Sequence, residues 1–187
     1  MIHSVRYTCV LDTNVIFPLQ VRDLLFWFAY YDLFTPKWSE HIFHEWEEVM
    51  RRHHVSELEI QKRIDIANKA FPDAMVRNYV PLIDGLELPD EKDRHVLAAA
   101  IKTNANIIVT NNLKDFPQSY LATFGLTAMG VDDFITDITD LNHEMAVEAF
   151  REMVMNRKNL EMDEFEVLDI LRRNGLRDSA DYLHSLL

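Results

Sequence analysis

Short apolar runs alternate with amphipathic stretches along most of the chain. Four runs are bounded by polar or turn-forming residues and predict short strands: residues 7–11, 33–35, 105–110 and 127–131. Compact runs of this kind favour strands that are buried on both faces of a sheet. The first run ends at Asp12, the second is stopped by Pro36, and the third ends in a polar loop.

Helical spacing connects the apolar residues between these runs. Ser39 is a candidate N-cap for a helix whose inward stripe includes Ile42 and Trp46. The stretch 56–70 predicts a helix, and Pro72-Asp73 predicts another that reaches about Arg77. Pro89-Asp90 begins the best-marked helix, with Asp90 as its cap, Asp93 at its third position and a buried face of Val96, Leu97, Ala100 and Ile101. Strands separated by helices predict an α/β fold with a central, mainly parallel β-sheet flanked by helices.

The pattern changes to helices alone from about Asp140. Two apolar stripes at helical spacing follow, and a final helix carries Ala180 and Leu183. We therefore predict two parts, an α/β domain over residues 1–138 and a helical C-terminal extension over residues 139–187.

The composition indicates a globular protein that needs no membrane. The chain has 187 residues, enough for one compact core, and 48% of them are hydrophobic and mixed with charged residues. No apolar run approaches the ~20 residues of a membrane-spanning helix. The first residues lack the pattern of a secretory signal, and the single cysteine, Cys9, forbids an internal disulfide. A cytoplasmic location is the simplest expectation.

The formal net charge of −12 bears on nucleic-acid binding. Binding to a phosphate backbone normally relies on a positive surface, so this charge is unfavourable. The charges are spread unevenly, however: Lys and Arg cluster over residues 51–77 and again over 151–177. The segment between Lys114 and Arg151 carries no Lys or Arg but seven acids, which could serve a basic partner or simply form a solvated face.

Acidic residues stand at the breaks between several predicted elements. Asp12 follows the first strand, Glu45 lies on the Ser39 helix, Asp90 and Asp93 open another helix, and Asp115 lies in the loop after residues 105–110. In parallel sheets, reactive groups gather beyond the carboxyl ends of the strands. Gathered carboxylates repel one another, so a fold that collects them usually does so around a cation. Oxygen ligands of this kind suit Mg²⁺ or Mn²⁺, and a metal-dependent phosphodiesterase is the leading hypothesis.

The order of these motifs resembles that of the PIN-domain nucleases. The motifs are Asp-Thr-Asn after a strand, an isolated Glu on a helix, Asp-x-x-Asp-Arg-His before Leu-Ala-Ala-Ala, and Thr-Asn-Asn-x-x-Asp-Phe. More narrowly, the chain is similar to the VapC-type ribonuclease toxins of bacterial toxin–antitoxin pairs. The resemblance runs over roughly residues 6–135 and rests on all the motifs in this order, since none is specific alone.

The resemblance implies a PIN-like fold, a Mg²⁺ or Mn²⁺ centre, RNA as substrate, a homodimer and a cognate antitoxin that inhibits it. It also implies that Asp12, Glu45, Asp93 and Asp115 supply the acidic ligands. The chain departs from the family's pattern at the fourth place, where many members have an acid and this chain has Asn112. Asn112 can still offer a carbonyl oxygen, while Asp115 brings charge from slightly further along.

Other polar residues near these motifs have two interpretations. Thr13, Asn14, Asp90, Thr110 and Asn112 could orient ligands or waters, or could only cap turns and helices. Four further residues are candidate RNA contacts, although they could equally be solvated: Arg51, Arg52, Arg94 and His95. The pairs His41/His44 and His53/His54 suggest zinc, but no Cys and no intervening catalytic Glu accompany them.

Three other functions compete with a ribonuclease toxin. A PIN nuclease of housekeeping RNA processing would use the same chemistry, and a neighbouring antitoxin gene would distinguish the two. A PIN module that only binds a partner should have lost ligands, whereas every acidic place here is filled. An aspartyl-phosphate receiver or phosphatase needs a second acid beside the strand-terminal Asp, which Asp12-Thr13-Asn14 lacks.

Overall fold

A computed structural model describes residues 6–157 and 162–187. Five strands form one sheet in the order β3-β2-β1-β4-β5, and every neighbouring pair is parallel. The strands are β1 (Thr8–Leu11), β2 (Thr35–Ser39), β3 (Met75–Val76), β4 (Ile107–Val109) and β5 (Thr127–Met129). The expected parallel α/β architecture is confirmed.

Helices connect the strands and continue beyond the sheet. Those of the α/β part are α1 (Thr13–Ile16), α2 (Leu19–Tyr30), α3 (Glu40–Arg52), α4 (Glu57–Ala70), α5 (Val80–Ile83), α6 (Arg94–Lys102) and α7 (Gln118–Leu121). Short 3-10 turns cover Glu91–Asp93, Leu113–Asp115 and Ala122–Phe124. The C-terminal helices are α8 (Val131–Leu141), α9 (His143–Met155), α10 (Glu164–Arg173) and α11 (Arg177–Leu186). None of the helices in the described ranges is long and apolar enough to cross a membrane.

The central strands β1 and β4 bury most of their side chains on both faces of the sheet. Cys9, Val10 and Leu11 of β1 are fully buried, and burial raises the pKa of the Cys9 thiol. Helix α6 packs on β1, β2 and β4, and its three consecutive alanines, Ala98–Ala100, are fully buried. Strand order reverses at β1, and such a reversal opens a crevice at the carboxyl ends of the strands.

Two local predictions around β2 and β3 were wrong. Strand β2 continues through Pro36 to Ser39, although Pro36 was expected to end it. The backbone N of Trp38 donates to Ala74 O at 3.1 Å on the side of β2 that faces β3. The backbone N of Pro36 lies on the same side, but the pairing with β3 begins only at Trp38, so no residue of β3 lies opposite Pro36. A missing N–H costs nothing there. The helix expected from Pro72 to Arg77 is instead β3, whose two residues pair with Trp38 and Ser39.

The C-terminal helices belong to the same hydrophobic core as the sheet. Helix α9 packs on α2, and Phe134 of α8 contacts Phe34 edge to face at 5.0 Å between ring centroids. Arg157 donates to Gln20 Oε1 at 2.9 Å, which joins the end of α9 to the start of α2. These contacts anchor the helical part against the side of the α/β part that carries α2.

Candidate active site

Asp12 occupies the carboxyl end of the central strand. Its backbone N donates to Val109 O at 3.1 Å, so Asp12 and the loop after β4 lie side by side. One carboxylate oxygen accepts from Thr13 N at 2.7 Å. The other accepts from Asn14 Nδ2 at 2.6 Å and from Thr110 Oγ1 at 2.8 Å. The sequence prediction that Asp12 and the Thr110 loop share one edge of the sheet agrees with this geometry.

Burial dominates the electrostatics of Asp12. The side chain is only 6% exposed, and burial raises its pKa above the usual value although the hydrogen bonds from Thr110 and Thr13 act in the opposite direction. Nearby Glu45 raises the pKa further because it is also an acid. A positive neighbour would therefore stabilise the ionised form of the Asp12 carboxylate.

Glu45 reaches the same place from helix α3. Ser39 caps this helix by accepting from Ile42 N, as expected, and the buried stripe Ile42, Trp46 and Met50 fixes its rotation. One oxygen of Glu45 accepts from Thr13 Oγ1 at 2.7 Å, and the other lies 3.0 Å from His95 Nε2. Burial raises the pKa of Glu45, but these two hydrogen bonds and the neighbouring His95 and His41 lower it, and the net pKa lies below the usual value.

Asp93 and Asp115 are connected by the amide of Asn112. Asn112 Nδ2 donates to Asp93 Oδ2 at 3.3 Å and to Asp115 Oδ2 at 2.5 Å. The pKa of Asp93 is raised to about 6, first by partial burial and then by four neighbouring acids: Asp12, Asp90, Asp115 and Glu45. Asp90 itself caps the 3-10 turn by accepting from Lys92 N at 2.9 Å. The charge repulsion at Asp93 is what a bound cation would relieve.

A groove of about 1020 Å³ collects most of these residues. Asp12, Glu45, Asp93 and Asn112 line it, together with Thr13 and Asn14. Asp115 and Asp90 do not line this groove; Asp115 contacts it only through Asn112. The structure therefore brings together three acids from distant parts of the sequence at the carboxyl ends of β1 and β4.

The donor set can be tested against a divalent metal. Within residues 6–157 and 162–187, no group of three or more His, Cys, Asp or Glu side chains is arranged so as to hold a metal ion unaided. Polar groups link the carboxylates in pairs: Thr13 bonds both Asp12 and Glu45, and Asn112 bonds both Asp93 and Asp115. Mg²⁺ and Mn²⁺ nevertheless need only one or two carboxylates, with waters and substrate phosphate as the remaining ligands. The oxygen-only groove fits such a loosely held ion and does not fit zinc.

His95 is buried and is therefore not positioned to contact RNA. It was expected to be exposed in the first helical turn, but it is 6% exposed and faces Glu45. The ring of His41 stacks on it with centroids 5.2 Å apart, and His41 Nδ1 in turn contacts Tyr79 Oη. The position of His95 makes it a support for Glu45.

The three candidate RNA-binding arginines differ in their surroundings. Arg51 lines the groove but bonds Glu57 and Glu47 at 2.8 and 3.1 Å. Arg94 bonds Glu91 at 3.0 Å and is not among the groove residues. Arg52 is exposed and lines the groove, which makes it the best placed of the three to meet a phosphate.

The groove also contains residues that the sequence did not single out. Lys92 lines it on the side of Asp93, and Phe17 and His53 line it on the side of Glu45. No sequence signal marks them, because a lone Lys in a helical turn and aromatic residues just after helices are common on protein surfaces. His53 had been considered only as part of a His pair for zinc.

Comparison with known proteins adds two family matches and one relative. The model described as PIN domain matches residues 8–114, more than half of the 187 residues. The model described as VapC50 C-terminal domain matches residues 131–185. A Mycobacterium tuberculosis (strain ATCC 25618 / H37Rv) protein provisionally named ribonuclease VapC50 is 51% identical over 53 residues. That alignment covers 28% of this chain and 31%, about a third, of the relative. No solved structure matches the chain significantly.

Proposed function

Because the chain belongs to the PIN-domain family, we propose that it is a metal-dependent endoribonuclease and the toxin of a VapBC-type toxin–antitoxin pair. The observation that carries the proposal is the groove in which Asp12, Glu45 and Asp93 converge. The match of residues 131–185 to a VapC50 C-terminal domain supports the narrower assignment to toxins. It favours a toxin over a PIN nuclease of housekeeping RNA processing, which remains the alternative.

The residues of the groove have different proposed roles in the reaction. Asp12, Glu45 and Asp93 would hold Mg²⁺ or Mn²⁺, with Asp115 adding negative charge through Asn112. When bound, such an ion lowers the pKa of a water and stabilises the charge that develops on the phosphoryl oxygens. Thr13, Asn14 and Thr110 fix the orientation of the carboxylates by the hydrogen bonds described above. Arg52 and Lys92 are placed to hold the RNA phosphates.

Metal removal is the direct test of this function. Purified protein is incubated with a mixed RNA substrate in chelator, and then with Mg²⁺ or Mn²⁺ restored. We expect cleavage only with metal, because three neighbouring carboxylates cannot bind a phosphodiester without a cation between them. Cleavage that persists in chelator would contradict the proposal, and no cleavage with either metal would favour a PIN module that only binds a partner.

The antitoxin and the homodimer need separate tests. The proposed partner is the product of a small neighbouring gene, and co-expression should give a complex in which RNA cleavage is inhibited. Sedimentation of the protein alone measures whether it is a dimer. A chain that is active, has no neighbouring antitoxin gene and causes no growth arrest would fit housekeeping RNA processing instead.

Removing the support of Glu45 should weaken metal binding. We expect His95→Asn to reduce Mn²⁺ affinity by about 10–100-fold, the usual loss when a group that orients a metal ligand is replaced. The measurement is Mn²⁺ titration by electron paramagnetic resonance, with His44→Asn, an exposed histidine on the same helix as Glu45, as control. In a Glu45→Gln background the same substitution should add little, and a full additive loss would contradict the proposed role.

A further inference from the structure

Two aromatic rings form the wall of the groove next to the acids. Phe17 and His53 have ring centroids 4.8 Å apart and planes tilted by 39°. Phe17 immediately follows α1, the helix that begins after Asp12, and His53 immediately follows α3, the helix that carries Glu45. The pair is therefore fixed to the same two elements that position the acids.

The rings are only partly covered by the protein. Phe17 packs against the hydrophobic core with one part of its surface and remains partly exposed, while His53 is exposed. Both line the groove that Asp12, Glu45 and Asp93 also line. An aromatic wall beside an acidic centre offers a flat ligand a surface that carries no negative charge.

Electrostatics makes such a surface necessary for RNA. The chain has a formal net charge of −12, and the groove is lined by four acids that repel phosphate, Asp12, Glu45, Glu48 and Asp93. Among the groove's cations, Arg51 is already paired with Glu57 and Glu47, which leaves Arg52 and Lys92. Stacking of a base on an aromatic ring strengthens binding and needs no counter-charge.

We propose that Phe17 and His53 form a base platform, which binds one unpaired RNA base beside the phosphodiester that is hydrolysed. Arg52 and Lys92 contact the phosphates on either side of this nucleotide. The base must be unpaired, because a base inside a helix presents no free face. A groove of about 1020 Å³ has room for it, since sites of ~300–1,000 Å³ hold ligands of drug size. The inference rests on the proposed ribonuclease function and assigns the substrate class of that site.

The test measures equilibrium binding separately from cleavage. A fluorescent single-stranded adenine oligoribonucleotide is titrated with protein in Ca²⁺, and the RNA is checked for integrity afterwards. We expect Phe17→Leu and His53→Leu each to weaken binding about 10-fold, within the range of one lost stacking contact. Leucine keeps the apolar volume that packs on the core but has no aromatic face, so these variants should remain folded, and Phe17→Trp should restore binding.

The chain supplies a matched control. Phe165 and His184 form another partly exposed Phe–His pair, with centroids 5.2 Å apart, on α10 and α11. Phe165→Leu should leave binding unchanged. An oligonucleotide whose bases are removed should bind wild type and Phe17→Leu equally. Two phosphate contacts also predict a shallow salt dependence, with a logarithmic slope no steeper than about −1.4.

The outcomes separate the platform from the nuclease. RNA cleavage together with wild-type binding by Phe17→Leu and His53→Leu would overturn the platform and leave the nuclease in place. Ring-dependent binding without cleavage in any metal would overturn the nuclease and support the platform. Absence of RNA binding by the wild-type protein, or equal losses in Phe165→Leu, would overturn the platform.

Discussion

Replacing Asp93 by Asn is expected to abolish RNA cleavage and, at the same time, to stabilise the metal-free protein. Metal-ion catalysis supplies several kcal/mol of charge stabilisation, so loss of this ligand should lower kcat/KM by about 10³-fold. The stability gain follows from the raised pKa of Asp93, about 6, since the folded protein holds this charge against burial and four other acids. Discounted for partial exposure, the gain should be about 1–2 kcal/mol in the free energy of unfolding.

The raised pKa of Asp93 determines the direction in which the stability of the metal-free protein changes with pH. Asp93 keeps its proton to a higher pH in the folded protein than in the unfolded chain, where the pKa of this carboxyl has its ordinary value of 3.8. The metal-free wild type should therefore lose stability as pH rises from about 4 to 6, and the loss is complete above that window. The advantage of Asp93→Asn should be largest at pH 7 and should vanish below pH 4.

Chemical denaturation in chelator and in Mg²⁺ measures both effects. Asp90→Asn is the control, because it removes the same charge three residues away and keeps an acceptor for Lys92 N. We expect this control to cleave RNA at a near wild-type rate. Added Mg²⁺ should stabilise wild type more than Asp93→Asn, and an Asp93→Asn protein that is destabilised in chelator would contradict the assignment of Asp93 to the cation site.

The elements with a strong local pattern could be predicted from the sequence. Strand β1 is a compact apolar run, and α3 has both its Ser39 cap and its buried stripe. Strand β3 has only two residues, and pairing with β2 stabilises it more than any preference of its own. Pro36 could not be placed inside β2 because the side on which a proline lacks its donor depends on where the neighbouring strand begins.

In the candidate site, too, some features could be predicted from the sequence and others could not. Asp12 and Thr110 could be placed together because the ends of adjacent parallel strands meet at one edge. The bridge from Asn112 to Asp93 depends on the path of a loop, and His95 contacts Glu45, which comes from a different helix far away in the sequence. Phe17 and His53 meet because two helices end at the same place, which no local pattern records.

The start of helix α11 is held by hydrogen bonds to an acid of helix α8. Helix α11 follows Leu176, a residue that cannot cap it, and no side chain of its own satisfies its first N–H groups. Asp132 of α8 does so instead: its carboxylate accepts from Asp178 N at 3.0 Å and from Ser179 N at 2.9 Å. Ser179 Oγ contacts the same carboxylate. One acid thus caps a helix that lies far away in the sequence.

Asp132→Ala is therefore expected to lower the free energy of unfolding by about 2–4 kcal/mol. The substitution removes a helix cap and leaves a buried N–H and the buried Ser179 hydroxyl without this acceptor. For a chain of this size the loss corresponds to about 4–16 °C in Tm. Asp132→Asn keeps an acceptor oxygen and should recover part of the loss, whereas Asp133→Ala, at the exposed neighbouring acid, should change Tm little.

The number of thermal unfolding transitions tests whether the two parts of the chain unfold as one unit. Phe150 and Met153 of α9 lie in the same core as Leu24 of α2, which indicates that residues 1–138 and 139–187 unfold together although the sequence predicts them as separate parts. A single transition that moves as a whole in Asp132→Ala would fit one cooperative unit. Two transitions, of which only the lower one moves, would make the C-terminal helices an independent domain and would limit the effect of Asp132 to that domain.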